Sequence, residues 1–161
     1  MEPLLIWLEG SALGQLMRAS GVWAYGVVNL VHILGIATLF GSVLAFDLRL
    51  IGLWRRVPLT TLEGPTLTLA VCGFAVAVAS GVTMLSANGS EYAGNPFLAL
   101  KFLAIGLGLA NFVGAQFLPA WRARAVLPHS PRQRFALRVV GATSLACWLG
   151  AVAAGRMIGY W

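Results

Sequence analysis

Tyr25, Asn29 and His32 follow one another at spacings of four and three residues, so one face of a helix carries a phenol, a carboxamide and an imidazole. Such a face can hydrogen-bond a ligand, relay a proton or offer an axial nitrogen to haem iron. The setting makes the question sharp, because the run from Ala19 to Phe46 contains no charged residue. A histidine in an apolar run needs a partner, since burying an imidazole without one is costly. At about 1.5 Å per residue from an edge near Trp23, His32 lies roughly 13 Å deep. Lys101 and Arg156 each fall about one turn from the same end of their own runs, and Met84 and Met157 lie near that level. Tyr25, Asn29, His32, Lys101, Arg156, Met84 and Met157 are therefore the candidate binding residues, expected to frame a polar pocket in one half of a membrane. Each also has a plainer role. The lysine and arginine can snorkel to the surface, and Asn29 and Asn111 can bond between helices at about 0.6 kcal/mol each. His32 can be satisfied by a neighbouring side chain.

The elements that must position these groups are membrane spans. Of 161 residues, 59% are hydrophobic and only 10% charged, against about a quarter charged in soluble domains. Four apolar runs, about 21–50, 65–87, 96–118 and 135–160, are each long enough to cross a bilayer, which takes about 20 residues. They are continuous rather than alternating, which favours helices over a barrel. The fold class is all-α: a single-domain integral membrane four-helix bundle. Pro65 is expected in a first helical turn, where its missing N–H has no partner to lose. Ahead of the first span, residues 2–20 read as an interfacial amphipathic helix anchored by Trp7. A cleaved signal peptide is not expected, because Glu2, Glu9 and Arg18 interrupt the segment.

The net charge of +6 would point to nucleic acid in a soluble protein. Here it marks topology. Arg49, Arg55, Arg56, Arg122, Arg124, Arg132, Arg134 and Arg138, eight of the eleven basic residues, flank or fill the first and third connections. Positive charge stays in the cytoplasm, which predicts a membrane protein with cytoplasmic arginine loops, both termini outside and no nucleic-acid partner. Asp47 and Arg49 mark the inner end of the first span, with Asp47 expected to pair with Arg134 or Arg138. Gln116 marks the inner end of the third, Tyr160 stands four residues beyond Arg156, and His129 reads as a solvated loop residue.

Small residues recur at helical spacing: Gly73, Ala77 and Gly81; Gly106, Ala110 and Gly114; Ala142, Ala146, Gly150 and Ala154, with Cys147, Ala151, Gly155 and Gly159 beside them. Such ridges let helices approach closely in lipid. Two adjacent ridges on the last span also leave room for a homo-oligomer. Cys72 and Cys147 read as packing residues.

The run Asn29-Leu-Val-His32-Ile-Leu-Gly35, continuing through Gly41-Ser42 to Asp47-Leu-Arg49-Leu-Ile-Gly52, resembles a family of uncharacterised four-span bacterial inner-membrane proteins. Asn95-Pro96-Phe97 with Lys101 and Asn111, and Gly155-Arg156 with Tyr160, fit the same pattern. The family is distantly similar to copper-resistance D and cytochrome b561 type bundles, some of which hold haem b between histidines. That resemblance implies a second histidine near the inner end of the third span, where this chain has Gln116.

Two functions follow as expectations. The preferred one is a small-molecule- or lipid-binding bundle, or an accessory subunit of a larger membrane complex, with its pocket around His32. The other is a haem b redox protein with His32 as axial ligand and Lys101 and Arg156 beside the propionates. A proton-coupled carrier using His32 and Lys101 is a third, although internal repeats and broken helices are not evident. No zinc pair, P-loop or nucleophile elbow is present, so catalysis is not expected.

Overall fold

The computed structural model describes residues 2–125 and 130–161; His129 lies outside the described residues. The described residues form helices joined by short connections, with no strand among them: α1 (Glu2–Gly10), α2 (Ala12–Ala19), α3 (Gly21–Ile51), α4 (Leu59–Ala87), α5 (Pro96–Phe117), α6 (Pro119–Arg122) and α7 (Pro131–Met157), with 3-10 turns at Gly89–Tyr92 and Ile158–Tyr160. Four helices, α3, α4, α5 and α7 with its closing turn, are long and apolar enough to cross a membrane. Their outward side chains fit that solvent: Val27, Leu30, Ile33, Leu34, Leu103 and Val113 are all more than two-fifths exposed on single helices. The chain is a multi-pass membrane bundle.

The spans are ordered α4–α3–α7–α5, each packed on the next. Glycine sets the closest approach. A Cβ on Gly73 would come within 2.5 Å of Leu39 N, and one on Gly35 within 2.8 Å of Ala77 N. At the other end a Cβ on Gly141 of α7 would meet Leu50 Cβ at 2.9 Å. The ridge of Gly73, Ala77 and Gly81 therefore works as a helix contact. The ridge of Gly106, Ala110 and Gly114 does not: Gly106 and Gly114 have nothing within 4 Å of a Cβ, and Ala110 is exposed. The contact face of α5 runs through Ala104, Gly108 and Ala115 instead. On α7, Ala142 and Ala146 also face outward, while Gly141, Trp148, Ala151 and Ala154 are buried. Spacing alone gives a period but not the phase, so it could not say which of two small-residue faces turns inward. Cys72 is likewise exposed rather than packed.

Helix α4 begins at Leu59, so Pro65 sits inside it rather than in its first turn. The cause is burial. Leu59 is 4% exposed, in a core with Leu50, Leu137, Val140 and Trp121, and docking it extends the helix upstream to the stop at Pro58. Helix α7 also starts ahead of its apolar run. Ser130 caps it, accepting from Gln133 N while the Gln133 side chain accepts from Ser130 N, and Pro131 opens the first turn.

The N-terminal segment is two helices, divided at Gly10–Ser11, with Ser11 capping the second. It folds over the end of α4. Arg18 donates to Ser86 O (3.4 Å), Ala87 O (3.2 Å) and Glu9 O (2.9 Å), answering carbonyls that a helix end leaves without partners. Glu9 in turn accepts from Ser90 N at 2.6 Å. Gly21, with φ +75°, turns the chain from α2 into α3, a conformation open to glycine and strained for other residues.

Candidate functional site

The seven residues singled out by spacing occupy one end of the bundle, some packed between helices and others exposed. His32 lies in the α3–α4 contact, its ring against Gly81 and its Nδ1 3.0 Å from Ser80 Oγ. The Ser80 hydroxyl donates its single hydrogen to Val76 O at 2.5 Å. The network therefore assigns the imidazole proton to Nδ1, which donates to Ser80, and leaves the lone pair on Nε2. Tyr25 stands beside Tyr92 and Glu91 of the connecting turn. The Lys101 stem runs alongside Gly155 of α7. Arg156 is exposed and engaged locally: its guanidinium donates to Tyr160 Oη at 2.5 Å and lies 4.7 Å from that ring centre. Met157 is 42% exposed on the same turn, while Met84 and Asn29 are half-buried.

The large cavity is at the other end. It measures about 290 Å³, and none of those seven residues lines it. Its walls come from all four spans: Ser42, Phe46 and Asp47 on α3, Glu63, Thr66 and Phe74 on α4, Asn111 and Phe112 on α5, Ser144 and Trp148 on α7. Trp121 of α6 closes its base. Two edge-to-face aromatic pairs, each with ring centres 6.0 Å apart, bound the space: Phe74 on Trp148, and Phe46 on Trp121. Helices α4 and α5 stand at the two ends of the helix row and barely meet among the described residues. The cavity lies between these two outer helices, both of which line it.

Two polar atoms in its wall have no partner. Asp47 is 4% exposed and Trp121 5%, yet neither Asp47 Oδ2 nor Trp121 Nε1 makes a hydrogen bond. Leaving such a group unmet costs about 1–3 kcal/mol. The expected pairing of Asp47 with Arg134 or Arg138 is not formed. Arg138 instead lies against Gly52, and Arg49 turns to the loop, donating to Val57 O at 2.6 Å. The ion pair found among the described residues joins Glu63 to Arg124 in a two-pronged contact. Arg124 also stacks 4.6 Å above the Trp121 ring and donates to Trp121 O, fastening the base of the cavity to α4.

Asn111 fulfils its expected bridging role, donating to Val140 O of α7 at 3.1 Å. Gln116 lines the cavity but donates to Phe112 O of its own helix. Asp47 was visible in the sequence as an acid near a span, but its neighbours were not. The Glu63–Arg124 pair links residues 61 positions apart, and nothing local in the sequence announces it.

Among the described residues no cluster of three or more histidine, cysteine or acidic side chains could hold a metal ion. Comparison with known sequences gives one result: the model of a family described as "Family of unknown function (DUF6644)" matches residues 4–161. No curated protein and no solved structure matches the chain.

Proposed function

We propose, for a chain that belongs to this family of unknown function, that it binds a lipid-soluble small molecule within the membrane, in the cavity beside Asp47. The observation that carries this reading is the pair of buried, unmet polar atoms, Asp47 Oδ2 and Trp121 Nε1, in the wall of a 290 Å³ space. Ligand pockets are mostly apolar with a few convergent polar groups, and a carboxyl and an indole N–H sharing a wall with phenylalanines fit that description. Entry runs sideways from lipid between α4 and α5. The arginine-rich connections support an orientation with this half of the bundle toward the cytoplasm, in what we read as a bacterial inner membrane. Extraction of the protein, purified in mild detergent, with organic solvent tests the reading by mass spectrometry. A small molecule retained in near-stoichiometric amount and lost from Ala70→Phe, which fills the cavity, supports it. Identical extracts from both proteins overturn it.

A second reading rests on the His32 tautomer. Nδ1 anchored by Ser80 leaves Nε2 free, the arrangement that ligating histidines adopt. His32 would then hold haem b. The test is an absorbance spectrum: a Soret band lost in His32→Ala supports the reading, and a colourless wild-type protein overturns it.

A further inference from the structure

We infer that the cavity's ligand is a lipophilic organic cation, with Asp47 as its counter-ion; this rests on the binding reading above and names the class of molecule bound. The chain carries eleven basic and five acidic residues. The cavity inverts that balance: Asp47 and Glu63 line it, and among the described residues no lysine, arginine or histidine does. Arg124 answers Glu63, so Asp47 is the one carboxyl of the wall left without a cation among the described residues. Phe46, Phe74, Phe112, Trp121 and Trp148 surround the same space. Aromatic faces attract cations, by as much as about 2 kcal/mol or more when the contact is desolvated. A buried carboxylate ringed by aromatic rings recognises a quaternary or protonated amine, and it excludes anions.

The depth is also suitable. Asp47 stands four residues from the end of α3, about 6 Å along the axis, close to the level where an amphipathic cation rests with its charge toward the headgroups. The arginines of that end do not obstruct the site. Arg49 is spent on loop carbonyls, and Arg138 lies over Gly52. Entry between α4 and α5 then brings the apolar body directly from lipid.

The test compares benzyltrimethylammonium with its uncharged carbon isostere, neopentylbenzene, by equilibrium dialysis against the full chain in a neutral maltoside detergent, with protein-free micelles subtracted. The expected result is at least tenfold tighter binding of the cation to wild type, with the preference abolished in Asp47→Asn. Because the wild-type comparison needs no variant, a misfolded Asp47→Asn protein leaves it decisive. Equal binding of the two probes, or tighter binding of the neutral one, overturns the cation class while leaving the cavity reading in place. A cation preference that survives in Asp47→Asn overturns the counter-ion assignment. Binding of neither probe, together with no effect of Ala70→Phe on the extracted molecules, overturns both.

Discussion

At the histidine end of the bundle the buried polar groups are answered in turn: Arg18 meets three carbonyls, Asn95 accepts from Phe97 N and Leu98 N, and Ser80 joins His32 to Val76. At the arginine end Asp47 and Trp121 stand in the wall of a cavity with one polar atom each unmet. Among the described residues, that first end leaves no fully buried side-chain nitrogen or oxygen unmet. The second keeps an unfilled demand. Polarity at depth is therefore a poor guide to a ligand site until satisfaction is counted. His32, the more conspicuous residue in the sequence, is the better provided for in the fold.

Crowding the closed side should break this contrast most severely. Gly73→Leu forces a side chain into the α3–α4 contact, where even a Cβ would reach Leu39 N at 2.5 Å, and should cost about 3 kcal/mol or more. Gly106→Leu, on the outward face of α5, should stay within about 0.5 kcal/mol. Melting temperatures in detergent would check the pair; equal losses would mean that the assigned faces are wrong. Next in size is the open side. Asp47→Leu removes a buried carboxyl that lacks a cation and should stabilise the ligand-free protein by about 1–3 kcal/mol. A lowered melting temperature would show that Asp47 is structurally held and that the two ends do not differ in kind. Smaller still is Arg18→Ala, expected to lose about 1 kcal/mol because its hydrogen bonds are near the surface, with proteolysis accelerating in residues 2–20 while the cavity end stays protected.

The smallest effect follows from Glu9, whose carboxyl is held below the usual carboxylate range by the backbone N–H of Ser90. A lowered value means that the unfolded state binds the proton more readily. The contact is thus fully present above the ordinary carboxylate pKa and is lost as pH falls through the folded value. Amide exchange at Ser90, referenced to its intrinsic rate at each pH, should lose protection on acidification in wild type. Ser90 protection in Glu9→Gln should be weaker and independent of pH in that range.

The four spans were legible because lipid imposes length and apolarity on each helix separately, and those properties are local in sequence. Boundaries set by tertiary burial were not, as Leu59 drawing α4 past Pro65 illustrates. Helix faces were half legible: Gly73, Ala77 and Gly81 read correctly, whereas Gly106, Ala110 and Gly114 had the right period on the wrong side. The cavity was not legible, since it arises from how all four spans come together and from a cation on Glu63 supplied 61 residues later. Asp47 itself could be seen, but an acid among arginines looks neutralised until the geometry shows where those arginines go.

The Arg18 bonds across the end of α4 also impose an order of assembly. The residues around Arg18 leave the ribosome well before the carbonyls they meet, which are 68 and 69 positions later. The first twenty residues must wait, undocked, until the second membrane crossing has been synthesised. A nascent chain arrested before Ala87 emerges should therefore expose them to any protease on their side of the bilayer, and release from the arrest should seal them.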